Sequence, residues 1–370
     1  MTEEGLAPAP DRAFECEACG ARSEYAPGTY ALRCPYCRHE QGIVPAPRQV
    51  TEHPIQELAV LPLRAAVPPG MKVFRCPGCQ AVTESDALSD KCQFCATPLV
   101  SDAVSSERVV PEAVLPFAVT RDQAREALGA WTKSRWFAPS SLKKVTEAET
   151  FRGSYLPHWT YDAETTSDYT GERGEHYYET RTYTETVDGQ TVTRTEQVQK
   201  TAWYPASGTV SRFFDDVLVP GTTRTPEEQL EKLTPWPLPE AVPYQEEYLA
   251  GFRTVRYDLE PEAGLESAKQ RMAPVIRTDC ARDIGGDEQR VHTVSTQYSD
   301  VTYKLLLLPV WFMSYLHGGK PWPVMVNART GEVIGERPYS ALKIAVASLV
   351  AVLLVAAVVA AVMVGKSHHG

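Results

Sequence analysis

Eight of the nine cysteines in this 370-residue chain fall in four C-x2-C pairs, a residue type and spacing that can hold metal ions. The pairs are Cys16/Cys19, Cys34/Cys37, Cys76/Cys79 and Cys92/Cys95. Gaps of 14 and 12 residues separate the pairs within each set, whereas 38 residues separate the two sets. Two thiolates three positions apart on a tight turn bind one Zn2+ at about 2.3 Å each, and a second turn completes the tetrahedron. The spacing therefore predicts two four-cysteine zinc ribbons that bind two Zn2+ per chain.

Four thiolates leave no coordination position for water, so these sites are predicted to be structural and not catalytic. A redox dithiol is another use of the spacing, but such motifs usually occur singly on a βαβ unit, which this sequence does not show. His39 lies two residues past Cys37 and is a candidate substitute ligand, although four thiolates already fill the site. The residues between the pairs suit short β-hairpins whose folding depends on the metal, with Tyr30, Leu32 and the Val73–Phe74 pair as apolar contacts.

The charge of the chain argues against a large nucleic-acid surface. The chain carries 37 basic and 47 acidic residues, a net charge of −10, whereas nucleic-acid binding favours a basic domain. Residues 11–44 contain four arginines and five acids, and residues 71–100 contain three basic and three acidic residues. Neither ribbon has the cluster of Lys and Arg that releases counterions from phosphates. The ribbons are therefore predicted to contact protein or to be purely structural, with nucleic-acid binding as the alternative.

The C-terminal tail predicts a transmembrane helix. Residues 344–364 contain 20 apolar residues, one serine and no charge, and as a helix they would extend about 31 Å, the thickness of a bilayer core. A buried core helix is the alternative, and a lipid-anchor signal would need a secretory leader that the acidic start MTEEGLAPAP does not resemble. Arg329, Arg337 and Lys343 precede the segment and Lys366 follows it. The positive-inside rule therefore predicts a single-pass, tail-anchored cell-membrane protein whose N-terminal bulk is cytoplasmic.

Composition divides the chain into ribbons, linkers and one larger module. Prolines are dense between the two cysteine sets, which is typical of an extended spacer. The predicted order is a disordered start (1–10), zinc ribbon 1 (11–44), a Pro-rich linker (45–70), zinc ribbon 2 (71–100), a second linker (101–118), an α+β cytoplasmic module (119–341), a transmembrane helix (342–364) and a short tail (365–370). The predicted fold class is thus α+β, with two N-terminal zinc ribbons, a β-rich module and one C-terminal transmembrane helix.

Helix signals occur twice in the module. Thr120 and Gln123 form a capping-box pattern that predicts a helix after Thr120, with Ala124, Leu128 and Trp131 as its core stripe. A second helix is predicted over 261–283, with Pro274 as a kink or stop.

Strand signals fill most of the remaining module. Residues 151–219 are predicted to be β-rich and include a Thr-rich hairpin that turns at Asp188-Gly189 and projects into solvent or contacts a partner. Two strands are predicted at 290–303 and 305–316. A further hairpin is predicted between Pro323–Val326 and Val333–Ile334, with Gly331 at positive φ.

A short repeat indicates two related α+β halves. The sequence Tyr155-Leu-Pro-His-Trp159 recurs as Leu307-Leu-Pro-Val-Trp311, and each copy follows a predicted helix and opens a β region. Self-similarity of this kind is typical of an internal duplication.

The common enzyme motifs are missing from the sequence. The chain has no phosphate-binding loop, dinucleotide-binding glycine motif, zinc-protease helix motif or nucleophile elbow. Cys280 is a lone thiol near Arg277 and Arg282, and His158 lies beside Trp159, but no sequence feature pairs either one with a catalytic partner. We therefore expect no enzymatic activity, no catalytic residues and no small-molecule substrate.

The C-terminal third carries the most specific resemblance to a known family. Its segments are Tyr303–Trp311, Gly319–Trp322, Val326-Asn327, Thr330–Val333 and Gly335–Tyr339. With the ribbons, they make the chain resemble bacterial tail-anchored zinc-ribbon proteins, which are often labelled transcription factor II B-type zinc-ribbon proteins and sometimes primosomal protein N′ / superfamily II helicase. The resemblance implies a membrane protein, and some relatives are associated with phage-shock-type envelope stress proteins. It does not imply a helicase, because the chain has no loop to hold ATP.

The leading functional prediction is a non-enzymatic, membrane-tethered zinc-ribbon adaptor. It would recruit protein partners to the inner face of the membrane and raise their local concentration, in the envelope-stress setting that the resemblance implies. The alternative is a nucleic-acid-binding zinc-ribbon protein anchored at the membrane.

Overall fold

The computed structural model of the chain describes residues 14–60, 63–64, 71–85, 91–95, 97–102, 108–134, 151–187, 190–317, 320–335 and 341–367. Within these ranges there are four α-helices: α1 (Arg121–Lys133), α2 (Glu227–Glu231), α3 (Pro261–Ile284) and α4 (Ala341–Ser367). The strands, numbered along the chain, are β1 (Glu24–Tyr25), β2 (Ala31–Arg33), β3 (Glu40–Gly42), β4 (His53–Pro54), β5 (Leu63–Arg64), β6 (Lys72–Arg75), β7 (Val82–Ser85), β8 (Val100–Ser101), β9 (Arg108–Val109), β10 (Ala113–Val114), β11 (Arg152–Val187), β12 (Gln190–Pro220), β13 (Val242–Pro243), β14 (Arg253–Val255), β15 (Glu288–His317), β16 (Lys320–Asn327) and β17 (Val333–Gly335). Short 3-10 turns occur at Ile55–Val60, Leu238–Glu240 and Glu246–Leu249. The predicted start at 1–10 and the turn Asp188-Gly189 lie outside the described residues.

A mixed sheet built on three very long strands organises the molecule. β11 pairs antiparallel with β12 on one side and with β15 on the other. The helix α3 packs across this part of the sheet and buries one stripe, which consists of Ala268, Met272, Ile276, Cys280 and Ile284. That stripe recurs at every fourth residue, the spacing of one face of a helix.

The two copies of the repeated sequence pair with each other in the middle of the sheet. Leu156 lies opposite Leu308, with Tyr155 opposite Pro309 on one side of that pair. The Trp159 ring N–H donates to the carbonyl of Leu259, two residues before α3, at 2.8 Å. In the same way the Trp311 ring N–H donates to the carbonyl of Val119, two residues before α1, at 2.8 Å. Each repeat therefore anchors the helix of the other, as two related halves would.

Aromatic rings form the core beside the two paired repeats. Phe117 stacks on Phe252 with ring centroids 4.0 Å apart, and Tyr155 and Trp311 contact Phe117 edge-on at 5.0 and 5.1 Å. All four side chains are at most 7% exposed. Such offset and edge-on pairs contribute about 0.5–1.5 kcal/mol beyond the area they bury.

Local sequence signals are confirmed at several elements. Thr120 caps α1, and the reciprocal bonds of the predicted capping box with Gln123 are present. β16 and β17 form the predicted hairpin, with Gly331 at a φ of 79°. The Thr-rich strands also pair as predicted, with Thr182 opposite Thr195.

A predicted strand break and a predicted helix stop do not occur. The strands predicted at 290–303 and 305–316 are one continuous strand, β15, because the register shift beside Asp300, which has a φ of 48°, does not end its pairing with β11. Pro274 does not stop the helix, since α3 continues from Pro261 to Ile284. The ring of Pro274 removes one backbone hydrogen bond, and packing of the buried stripe on both sides of it holds the helix together.

The C-terminal helix does not support the predicted membrane span. In the part of the chain that the structure describes, no helix is long and apolar enough to cross a membrane. We therefore correct four predictions: the transmembrane helix over 342–364, the single-pass tail anchor, the membrane partner and the cell-membrane location with a cytoplasmic N-terminal bulk.

Candidate metal centres

Two clusters of four cysteine sulfurs are positioned to bind metal ions. In the first, Cys16 and Cys37 Sγ lie 3.5 Å apart, and Cys19 and Cys34 Sγ lie 3.6 Å apart. In each cluster all four sulfurs lie within 4.8 Å of one another. Sulfurs at 2.3 Å from a common tetrahedral centre are about 3.8 Å apart. The predicted ligand sets therefore come together in space with the size that a four-thiolate site requires.

The second cluster has the same geometry in a more buried setting. Cys76 and Cys95 Sγ lie 3.4 Å apart, and Cys79 and Cys92 Sγ lie 3.5 Å apart. Cys76 and Cys92 are buried, and the other two are partly exposed. In the first cluster, by contrast, Cys19 and Cys37 are exposed.

The same backbone turn presents three of the cysteine pairs. In each, the residue after the second cysteine donates its N–H to the carbonyl of the first cysteine. These bonds are Gly20 to Cys16, Arg38 to Cys34 and Gln80 to Cys76, at 2.8, 3.0 and 2.9 Å. The three donors have φ values of 70°, 62° and 61°. For Arg38 and Gln80 this left-handed conformation costs roughly 1–2 kcal/mol each, so the surrounding site has to hold it in place.

Hydrogen bonds favour the thiolate form of cysteines in both clusters, and they lower the pKa of Cys16 as well as that of Cys34 in the first. The backbone N–H of Cys37, the largest cause, lowers the pKa of Cys34 to about 6. Burial acts to raise the pKa of Cys95, but bonds from the Thr97 hydroxyl and backbone outweigh it and lower that pKa to about 7. Burial and the neighbouring thiols raise the pKa of Cys79 to about 11. Metal binding therefore has to displace protons from the remaining thiols, which is typical of thiolate sites.

The first ribbon docks on the aromatic core. Tyr25 of β1 is 3% exposed, and its ring meets Tyr248 edge-on at 5.5 Å. The Gly28 N–H donates to the Phe117 carbonyl at 2.9 Å. Gly28 has a φ of +80°, and a Cβ there would lie 3.1 Å from the Ala118 carbonyl oxygen, so only glycine fits without strain. The ribbon is thus fixed to the body by its inner strand.

The second ribbon is part of the main sheet. Its strands β6 and β7 pair with each other, and β7 pairs with β14. Next to that junction Arg256 Nε donates to Glu84 Oε1 at 2.8 Å, with side chains only 9% and 3% exposed. The Arg253 guanidinium also donates to the Lys91 carbonyl at 3.0 Å. The second cysteine cluster therefore lies in a ribbon that forms one end of the same sheet that holds the core.

The other singled-out side chains lie outside the cysteine clusters. His39 Nε2 lies 3.9 Å from Glu17 Oε2. Cys280 is fully buried on α3, and burial raises its pKa. His158 is buried, its Nδ1 lies 3.2 Å from the Leu156 carbonyl oxygen, and burial lowers its pKa to about 4. One apolar contact is wrong: Tyr30, predicted to pack inside the first ribbon, is 58% exposed because Leu32 fills the inner face.

A carboxylate cluster lies at the base of the long hairpin, and no sequence pattern predicted it. It consists of Glu52, Asp162, Asp215 and Asp216, whose oxygens lie within 4.8 Å of one another. Lys304 Nζ lies among them, 2.6 Å from Glu52 Oε1, and also contacts Asp216. We assign no metal to this cluster, because the ammonium group is already there. Its members are far apart in sequence and meet only where β11 has a bulge.

Asp162 makes stability depend on pH. Burial, and then its hydrogen bond with Glu52, raise the pKa of Asp162 to about 7 from 3.8. The folded protein therefore keeps a proton that the unfolded chain releases, and this contribution to stability is lost as the pH rises from about 4 to 7. Asp162→Asn keeps the group neutral and should flatten this loss, with a gain of about 1–2 kcal/mol in unfolding free energy above pH 7.

Denaturant unfolding across the pH range measures the effect. Asp215→Asn is the matched control, because Asp215 is the exposed member of the cluster, and it should change the unfolding free energy by less than about 0.5 kcal/mol. The same pH slope in Asp162→Asn as in the unmodified protein would contradict the assignment.

The chain is similar to the uncharacterized protein YdjG of Bacillus subtilis (strain 168). The two are 24% identical over 254 residues, which cover 67% of this chain and 69% of YdjG. No family model matches the chain, and no solved structure matches it. The family resemblance of the sequence therefore stays a prediction. Because the name of the relative states no activity, function has to be argued from the geometry.

Proposed function

We propose that this protein is a non-enzymatic adaptor in which two zinc ions hold two ribbons on a rigid body and the first ribbon binds a protein partner. The observation that carries the proposal is the exposure of large apolar side chains on the first ribbon. Tyr36 is 80% exposed, Val44 79% and Tyr30 58%.

The apolar residues of the first ribbon form two sets, one buried against the body and one exposed to solvent. Tyr25, Leu32 and Ile43 are each less than 9% exposed and join the aromatic core. Tyr36 lies between Cys34 and Cys37, so the metal turn itself presents it to solvent. Tyrosine is enriched in protein interfaces, because its large ring buries much area with little loss of conformational freedom. A solvent-facing tyrosine on a metal-fixed turn is therefore suited to binding another protein.

Zinc fits the two clusters best. Soft thiolates select zinc, copper(I) or iron–sulfur clusters, and a tetrahedral four-sulfur set on paired turns is typical of structural zinc. Closed sites of this kind offer no position to a substrate, which supports a binding role over an enzymatic one.

The charged side chains favour a protein partner over nucleic acid. Arg33 on the first ribbon lies 2.7 Å from Glu40, and Arg75 on the second lies 2.8 Å from Asp102. These guanidinium groups are already neutralised within the chain, so they have little to gain from phosphates.

A photoreactive amino acid in place of Tyr36 tests the proposal. In cells, the full chain carrying it should crosslink reproducibly to one or a few proteins. The matched control carries the same group in place of Val275, which is 40% exposed on α3; it should not give those products.

Tyr36→Ser provides the second arm of the test. With a crosslinker at Val44, this change should reduce the same products, while the melting temperature stays unchanged because Tyr36 is 80% exposed. Identical products from positions 36 and 275, or salt-sensitive retention of DNA or RNA by the full chain, would overturn the proposal.

A further inference from the structure

The distal half of the long hairpin extends beyond the rest of the sheet. β15 pairs with β11 only as far as Gly174 opposite Glu288, whereas β11 and β12 stay paired to Val187 opposite Gln190. We call the two-stranded part, residues 175–187 and 190–202, the distal arm. It has 13 residues in each strand, about 43 Å at 3.3 Å per residue. A two-stranded ribbon alone is marginally stable in water, so this arm has much to gain from a further strand.

The outer edge of β12 in the distal arm carries no proline, glycine or bulge that would interrupt strand pairing. Residues 190–202 contain no proline and no glycine, and their register with β11 is continuous. The one lysine, Lys200, forms an ion pair with Glu179 on the neighbouring strand. Nearer the body, the same edge carries Pro205 and Gly208. Edges are usually protected by lysine, proline or bulges. The difference between residues 190–202 and the part of the edge that carries Pro205 and Gly208 therefore indicates that the distal edge can pair with another strand.

The sequence of this edge is complementary to itself. In an antiparallel pair centred on Thr195, each Arg194 faces Glu196 of the second copy, and the reverse holds on the other side of the two-fold axis. Val192 faces Val198 in the same way. Opposite charges and β-branched pairs directly across strands are stabilising, whereas like charges are destabilising.

The remaining positions of that register are also compatible. Lys200 faces the uncharged Gln190, and the threonines at 191 and 193 face the glutamines at 199 and 197. No like charges meet along the 11 residues from 190 to 200. The antiparallel direction places the two bodies at opposite ends of the joined arms.

The other edge of the distal arm is less suited to self-pairing. Centring residues 175–187 on Thr180 would set Glu175 against Glu185, which is repulsive. Centring them on Tyr183 pairs only 179–187 and leaves Glu179 opposite Val187.

We propose that the distal arm pairs through residues 190–200 with the same segment of a second copy of this chain, in a two-fold arrangement centred on Thr195. The result is a four-stranded antiparallel arm shared by two molecules. The partner has to present a strand edge whose charges are complementary to those of residues 190–200. The same segment of a second copy meets this requirement.

Sedimentation velocity of the metal-loaded full chain over a concentration series tests the proposal. The unmodified chain should form a dimer. Arg194→Glu places two like-charged pairs at the interface and should weaken the dimer by about tenfold, and Glu196→Arg should do the same. The double variant R194E/E196R restores both opposite-charge pairs and should return the dimer to within about threefold of the unmodified chain.

A matched control separates this effect from contacts inside one chain. Arg194 Nε also lies 3.0 Å from Glu185 within the arm. Glu185→Arg disturbs that intrachain pair but leaves the self-paired edge unchanged, so the dimer should stay within about threefold of the unmodified chain. A photoreactive amino acid in place of Thr195 should crosslink to residues 190–200 of a second copy.

Three results would overturn the proposal. The first is a chain that remains monomeric over the whole series. The second is a double variant that dimerises no better than Arg194→Glu although its arm is intact by circular dichroism. The third is a crosslink from position 195 that maps to 179–187 of the second copy.

Discussion

Replacing Cys92 with serine is expected to destabilise the central sheet as well as the second ribbon. Cys92 is 3% exposed and supplies one of four sulfurs to the second cluster. That ribbon contributes β6 and β7 to the main sheet. Binding of structural zinc contributes on the order of 10 kcal/mol to folding of a zinc-finger peptide. Loss of one ligand should therefore lower the unfolding free energy of the protein by about 5 kcal/mol, measured by denaturant unfolding followed by tryptophan fluorescence.

Cys280→Ala is the matched control for Cys92→Ser. Cys280 is also a buried cysteine, but it lies on α3 outside both clusters. Its loss should cost about 1 kcal/mol, the size of a small cavity. Equal and small losses in both variants would show that the second cluster does not stabilise the sheet through a metal ion.

Replacing Arg256 with methionine is expected to be the most damaging single change away from the cysteines. Methionine keeps much of the apolar stem but removes the guanidinium that bonds to the buried Glu84 at 2.8 Å. Breaking a buried ion pair and leaving one charge behind costs about 3–5 kcal/mol. The measurement is the unfolding free energy in denaturant.

Arg33→Met provides the contrast for Arg256→Met. Arg33 forms an ion pair with Glu40 whose side chains are 51% and 52% exposed. Exposed pairs contribute about 0–1 kcal/mol. If Arg256→Met costs no more than Arg33→Met, the junction between the second ribbon and β14 is not held by the Glu84 pair.

Features that are encoded by neighbouring residues could be predicted from the sequence. The C-x2-C turns bring their sulfurs together because each pair is positioned by its own few backbone bonds. The cap of α1 needs only Thr120 and Gln123, and the turn before β17 needs only Gly331 at positive φ. In each case the responsible groups lie within about four residues of one another.

Features that depend on distant parts of the chain could not be predicted in this way. Glu52 and Lys304 are neighbours only because β4 pairs with β15. Which apolar side chains of the first ribbon are buried depends on the core that Phe117 and Tyr248 form. The sequence alone could therefore not show that Leu32 is buried and Tyr30 exposed. The apolar tail shows a further limit: its composition predicts a membrane span over 342–364, but no helix in the part of the chain that the structure describes is long and apolar enough to cross a membrane.

The metal content of the purified full chain tests the central claim most directly. Elemental analysis combined with native mass spectrometry should give two zinc ions per chain, one for each four-cysteine cluster. Cys92→Ser should lower this to one, and Cys280→Ala should leave it at two. A chain that carries no bound metal, or one whose clustered cysteines are joined as disulfides after purification under reducing conditions, would contradict the account.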